Sequence, residues 1–110
     1  MHEINGSNIT LTRGDSLTIQ LSLTKDGEEY IPNEGSSIRF AMKKRFTDPD
    51  ESVLLLKDIP IDTLILELEP EDTKPLTMKS KYVYDIQLTD EVGRVDTFIS
   101  GTFTIGEEVI

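Results

Sequence analysis

The 110-residue sequence predicts an all-β protein, an antiparallel sandwich of two sheets with immunoglobulin-like architecture and about seven strands. Apolar and polar residues alternate in several short segments, which is the period of an extended strand. Glycine- or proline-containing turns separate these segments at roughly 8 to 12 residues, a spacing typical of sandwiches and barrels. No segment has an apolar period long enough for a helix, and the length suits one domain, residues 1–110, with its core at about 9–105. A small closed barrel is the alternative architecture.

The first clear strand covers residues 17–23. Strict alternation places one set of side chains on a single face: Leu17, Ile19, Leu21 and Leu23. Residues 25–28 form a glycine-containing turn. Residues 30–32 predict a short extended piece, which Pro32 confines to an edge or a loop.

Three strands are predicted in the middle of the chain, at residues 37–43, 53–57 and 64–68. The inward side chains of the first and third are Ile38, Phe40, Met42, Leu64, Leu66 and Leu68. The continuous apolar character of residues 53–57 predicts contact on both faces of that strand. Two prolines within residues 69–75 leave room for at most one helical turn.

The last third of the chain predicts a strand at 81–89, a hairpin turn at 90–94, and strands at 95–100 and 102–105. The inward side chains of the first of these are Tyr82, Tyr84, Ile86 and Leu88. Gly101 separates the final two segments, so a bend or bulge is expected there. Tyr82 is either a tyrosine-corner residue or an aromatic residue partly buried in the sheet.

The charge balance argues against nucleic-acid and membrane binding. A formal net charge of −10 repels phosphate backbones. The compact basic cluster Lys43, Lys44 and Arg45 is interpreted as the solvated end of a strand. No apolar run approaches the roughly 20 residues of a membrane-spanning helix. The opening residues do not resemble a signal peptide, so a cytoplasmic location is expected.

No catalytic, cofactor-binding or metal-binding residues are predicted. The chain has no cysteine, and its one histidine, His2, is expected in a frayed terminus. The tripeptide at residues 13–15, Arg-Gly-Asp, is interpreted as a turn. The acidic loop 47–52 lacks the glycine of a calcium loop, and the sequence leaves open whether a cation binds there. A second acidic group is interpreted as a solvated rim: Glu67, Glu69, Glu71 and Asp72.

Exposed edge strands are the expected interaction sites, because an unpaired edge either carries protective charge or recruits another chain. The segment 102–110 ends in apolar residues that the domain need not bury. This segment either docks on a neighbouring protein or frays, and the sequence does not separate the two.

The order of several segments resembles the immunoglobulin-like N-terminal domain of phage and prophage upper baseplate proteins, and related short tail proteins. The landmarks are Arg13-Gly14-Asp15-Ser16, the turn at Asp26-Gly27, the strand 38–43, Asp72-Thr73 with Leu76, Tyr82-Val83-Tyr84-Asp85-Ile86-Gln87-Leu88, Gly93-Arg94-Val95-Asp96-Thr97 and Gly101-Thr102-Phe103-Thr104-Ile105. The similarity covers about residues 9–105. Lys79-Ser80-Lys81 replaces a glycine that the family often has before the Tyr-x-Tyr strand, and the long C-terminal extension of full-length members is not matched.

The resemblance implies a non-enzymatic tail or baseplate protein, structural or for assembly. Its partners would be other tail or baseplate proteins, possibly further copies of itself, and it would be cytoplasmic before assembly and in the virion afterwards. The alternative is a carbohydrate-binding β-sandwich, for which Tyr30 and Phe46 are the candidate platform residues, although aromatic residues make up only 6% of the chain. A third hypothesis, a carboxylate-based hydrolase, requires a cleft with two acidic groups.

Overall fold

The computed structural model describes residues 2–5, 7–76 and 80–107. Its strands are β1 (His2–Asn5), β2 (Asn8–Thr12), β3 (Leu17–Gln20), β4 (Thr24–Lys25), β5 (Glu28–Glu29), β6 (Ser37–Lys43), β7 (Leu55–Ile59), β8 (Ile65–Leu68), β9 (Lys81–Thr89) and β10 (Val95–Gly106). A 3-10 turn covers Asp50–Ser52, and a single helical turn, α1, covers Pro70–Thr73. The predicted helical turn between the two prolines is therefore confirmed.

The strands form two main layers, so the all-β sandwich prediction is confirmed. One layer is a six-stranded sheet in the order β1-β2-β10-β9-β6-β7, and the other is the pair β3-β8. A short hairpin, β4-β5, forms a separate small ladder.

Two details of the predicted architecture were wrong. The described residues contain more strand segments than the seven predicted, because short pieces such as β4 and β5 pair with each other. The sheet is also not wholly antiparallel, since β2 pairs in parallel with β10 through Ile9↔Phe103 and Leu11↔Ile105. The first and last long strands of the domain are thus joined by backbone hydrogen bonds.

The core lies between the layers and follows the predicted alternation closely. Its buried apolar residues are Ile9, Leu11, Leu17, Leu21, Leu23, Ile38, Phe40, Met42, Ile59, Leu66, Leu68, Leu76, Tyr82, Tyr84, Ile86, Leu88, Phe103 and Ile105. Phe40 stacks on Tyr84 with ring centroids 5.3 Å apart, and Phe103 meets both rings edge to face. Aromatic pairs in these geometries add about 0.5–1.5 kcal/mol beyond the burial of their area.

The prediction of contact on both faces at residues 53–57 was wrong. The strand that forms there is β7, and Leu56 remains 49% exposed. β7 is one of the two edge strands of the large sheet. Its inward side chains pack on the core, while Leu56 lies on the outer face beside its cross-strand partner Ala41. A continuous apolar run therefore marks an edge strand here.

Several strand boundaries also differ from the prediction. β3 ends at Gln20 instead of residue 23, and β8 begins at Ile65 because Leu64 adopts a left-handed conformation with φ of 55°. Residues 30–32 lie outside the strands, which agrees with the loop alternative of the prediction, since the pairing in that region ends at Glu29. The expectation of a frayed terminus at His2 was wrong. His2 is the first residue of β1, and its backbone pairs with Leu11.

The predicted bulge at Gly101 was also wrong. β10 runs without a break through Gly101, which pairs in register with Tyr84. The register shift lies instead between Thr97 and Ile99. Gly101 has a different role. A Cβ at this position would collide with the backbone carbonyl of Ser7, so glycine allows the segment between β1 and β2 to lie close to β10.

Candidate functional site

The Arg-Gly-Asp tripeptide lies in the turn between β2 and β3, as predicted. The Arg13 amide donates to the Gly106 carbonyl at 3.2 Å, and the Asp15 amide donates to the Thr12 carbonyl at 3.0 Å. Gly14 has a φ of 85°, which favours glycine. Its amide donates to the Thr73 hydroxyl at 2.8 Å, which ties this turn to α1.

α1 is fixed in place by the acidic residue at its centre. The Asp72 carboxylate accepts a hydrogen bond from the Glu69 amide at 2.7 Å and pairs with the Lys57 ammonium at 2.8 Å. The Asp72 side chain is only 13% exposed. The prediction of a solvated rim was therefore wrong for Asp72, while Glu67, Glu69 and Glu71 are exposed as expected. Asp72 has a structural role between β7 and α1.

In the acidic loop 47–52, Asp48 binds two residues that precede the loop. The Asp48 carboxylate accepts a hydrogen bond from the Arg45 amide at 3.2 Å. The backbone carbonyl of Asp48 accepts one from the Lys43 ammonium at 3.1 Å. Across residues 2–5, 7–76 and 80–107, no group of three or more metal-binding side chains comes together. In the basic cluster, Lys44 and Arg45 are exposed, whereas Lys43 is partly buried and bound to the loop.

Tyr30 and Phe46, the two candidate platform residues for a sugar, lie in different surroundings. The Tyr30 ring stacks on Phe98 with centroids 5.2 Å apart, and the Lys25 ammonium lies 5.7 Å from its centroid. One face of Tyr30 is thus covered by another ring. Phe46 is 59% exposed and borders a shallow depression with Ala41 and Val83 on the outer face of the large sheet.

Tyr84 connects the core to the segment between β1 and β2. Its hydroxyl donates to the Ser7 carbonyl at 2.5 Å. Burial raises the pKa of the Tyr84 phenol above its ordinary value, because the charged phenolate is poorly solvated there. Tyr82 is buried at the start of β9, and its tyrosine-corner role stays a prediction.

One end of the sandwich carries a groove that combines positive charge with apolar surface. It has a cavity volume of about 510 Å³ and is lined by Lys44, Leu54, Pro75, Leu76, Ser80, Lys81 and Tyr82. Leu54 is 49% exposed, and among the described residues no acidic side chain lines the groove. Sequence patterns could not have revealed this groove, since its walls come from three separate parts of the chain.

The opposite end of the sandwich carries an acidic tip, residues 90–96, which comprise the hairpin turn at 90–94 and the first two residues of β10. The Asp90 carboxylate accepts hydrogen bonds from the amides of Val92 and Arg94 at 3.0 and 2.9 Å, and Gly93 has a φ of 91°. The predicted hairpin is confirmed. These bonds hold Val92 in an outward position, where it is 76% exposed.

No helix of the described residues is both long and apolar enough to cross a membrane. No protein-family model matches the sequence, and comparison with curated proteins and with solved structures gives no match. The C-terminal residues Val109 and Ile110, predicted to dock or to fray, lie outside the described residues.

Proposed function

We propose that this protein is a non-enzymatic structural or assembly subunit of a phage or prophage tail or baseplate. It acts through contacts with other tail or baseplate proteins. In this proposal the subunit is cytoplasmic until it is incorporated, and then resides in the virion.

The observation that carries the proposal is the hydrogen bond between Gly14 and Thr73, 2.8 Å long. Both residues belong to the landmarks on which the resemblance to upper baseplate domains rests. The bond joins two landmarks that are 59 residues apart in the sequence, so both take part in one contact of this fold. It supports the interpretation of these motifs as determinants of a scaffold.

A second support is apolar surface on the exposed edge strand. Leu56 of β7, Ala41 of β6 and the nearby Phe46 form what we call the β7 patch. Leu56 and Phe46 are about half exposed or more, which is costly for a protein that works alone. Unpaired edges with apolar side chains are suited to strand addition or to packing against a partner.

The proposal is tested on particles. An antibody raised against the purified protein is applied to phage particles released from the induced host, and gradient-purified particles are analysed by mass spectrometry. We expect the protein in the particles and the antibody label at the tail tip in electron micrographs. Absence of the protein from purified particles would contradict the proposal.

A variant pair examines the β7 patch in the same particles. Leu56→Asp places a charge in the patch, and we expect reduced incorporation of the subunit. Ser37→Asp is the control, because Ser37 is exposed at the far end of the neighbouring strand β6. Equal incorporation of the two variants would remove the β7 patch from the proposal.

A further inference from the structure

The two ends of the sandwich are complementary in charge and both carry exposed apolar side chains. β9 connects them: Lys81, which lines the groove, begins this strand, and the acidic tip follows Thr89 at its end. At roughly 3.4 Å per residue, the strand separates the two ends by about 27 Å. The groove and the tip of one molecule therefore cannot meet each other.

The acidic end is strongly negative. The segments at this end, residues 24–36, 60–64 and 89–96, carry eight acidic side chains against two basic ones. One of the two basic residues, Lys25, is already paired with Asp96 at 3.4 Å. The turn around Gly35 packs against the tip, since a Cβ at Gly35 would lie 3.3 Å from the Cβ of Glu91. Val92 and Val95 are exposed within this negative surface.

The groove combines exposed apolar surface with positive charge. Lys44 and Lys81 provide two ammonium groups, and the ion pairs found among the described residues involve neither of them. Leu54 provides half-exposed apolar surface in a groove whose wall also includes the buried side chains of Leu76 and Tyr82. An occupant that suits this groove is a narrow hairpin with acidic and small apolar side chains.

We infer that a second copy of this chain is the occupant, with its acidic tip in the groove of the first. Elsewhere the net charge of −10 opposes contact between copies, whereas this orientation places acidic groups against lysines. The contact is heterologous, because the two surfaces are different, and it extends into a ring or a filament. One hairpin buries less than the roughly 1,600 Å² of a standard interface, so the contact is weak and concentration-dependent.

The inference concerns the chain itself and does not depend on the proposed function. A virion protein that stays monomeric in solution contradicts only the head-to-tail contact. A protein that is absent from particles but assembles head to tail contradicts only the proposed function. The two failures are therefore distinguishable.

The test measures the mass of the full chain by sedimentation velocity over a concentration series reaching the millimolar range. We expect the wild-type protein to form dimers and larger species as concentration rises. Lys81→Glu, which reverses charge in the groove, and Val92→Lys, which places a cation on the tip, should each weaken association at least tenfold. Both positions are exposed, and circular dichroism checks that the variants are folded.

Mixing the two variants separates a head-to-tail contact from a symmetric one. Lys81→Glu keeps an intact tip and Val92→Lys keeps an intact groove, so an equimolar mixture should form heterodimers that cannot grow further. Thr18→Lys is the control, because it introduces the same cation at an exposed position of β3, outside both surfaces and outside the β7 patch. A wild-type chain that stays monomeric, a mixture without heterodimers, or loss of association in Thr18→Lys but not in Val92→Lys would overturn the inference.

Discussion

The Thr73 hydroxyl accepts a hydrogen bond from the Gly14 amide at 2.8 Å, and Thr73 is fully buried. This contact connects the helical turn before β9 to the turn before β3, and so links the two layers at one end of the sandwich. The bond is partly buried, and an amide that loses its partner there is costly because water reaches it poorly.

Thr73→Val removes that acceptor while keeping the shape of the side chain. We expect a loss of about 1–2 kcal/mol in the free energy of unfolding, the cost of leaving a partly buried amide without a partner. Urea denaturation followed by circular dichroism measures it. Thr73→Ser is the control, since it keeps the hydroxyl and loses one methyl group, worth about 0.8 kcal/mol. If Thr73→Ser were the more damaging of the two, the hydrogen bond would not be the stabilising feature.

Gly101→Ala tests the close approach between β10 and Ser7. The added Cβ collides with the Ser7 carbonyl, and we expect a loss of about 1–3 kcal/mol from overpacking. Gly106→Ala on the same strand is the matched control, because its Cβ would meet Thr12 at an ordinary 3.6 Å. Thermal unfolding of the two variants compares them. Equal melting temperatures would show that the Ser7 segment moves away without cost.

The raised pKa of the Tyr84 phenol predicts that the stability of the protein decreases at alkaline pH. Because burial raises the pKa of its phenol in the folded state, the folded protein holds this proton more tightly than the unfolded chain. The stabilisation is fully present below the unfolded pKa of about 10 and is lost as the pH rises through that value towards the folded pKa. Urea unfolding at a series of pH values between 8 and about 11 measures the decline.

The variant Tyr84→Phe should decline less steeply with pH over the same interval, because it has no phenol to ionise. It should also lose about 0.5–1.5 kcal/mol at neutral pH, since the hydrogen bond to the Ser7 carbonyl is removed. Parallel pH profiles for the wild-type protein and this variant would assign the alkaline decline to other groups.

The Lys57–Asp72 ion pair is expected to contribute more than the exposed pair Arg39–Asp58. The former has side chains 27% and 13% exposed and an N–O distance of 2.8 Å, while the latter has side chains 58% and 83% exposed and a distance of 3.3 Å. A double-mutant cycle with Lys57→Met and Asp72→Asn should give a coupling energy of about 1 kcal/mol.

The same cycle with Arg39→Met and Asp58→Asn is the control and should give about 0.3 kcal/mol or less, because solvent screens this pair. A larger coupling energy for the exposed pair than for Lys57–Asp72 would mean that burial does not strengthen the interaction.

The candidate surfaces were only partly predictable. The sequence indicated edge strands and a hairpin at residues 90–94, and both are present. It gave no signal for the groove, because Lys44, Leu54 and Lys81 become neighbours only when β6, β7 and β9 align at one end of the sheet. It also misplaced Asp72 on a solvated rim, since the nearness of Lys57 depends on the packing of α1 under β7.

The alternation of apolar and polar residues by itself determined which face of each central strand is buried. Ile38, Phe40 and Met42 of β6 face the core because successive side chains of a strand point to opposite sides. Only the tertiary structure decided which strands are neighbours, such as the parallel pairing of Ile9 with Phe103 and the edge position that leaves Leu56 exposed. The physical reason is that side-chain period is a local property, whereas strand pairing depends on which distant backbone groups satisfy one another when the chain closes.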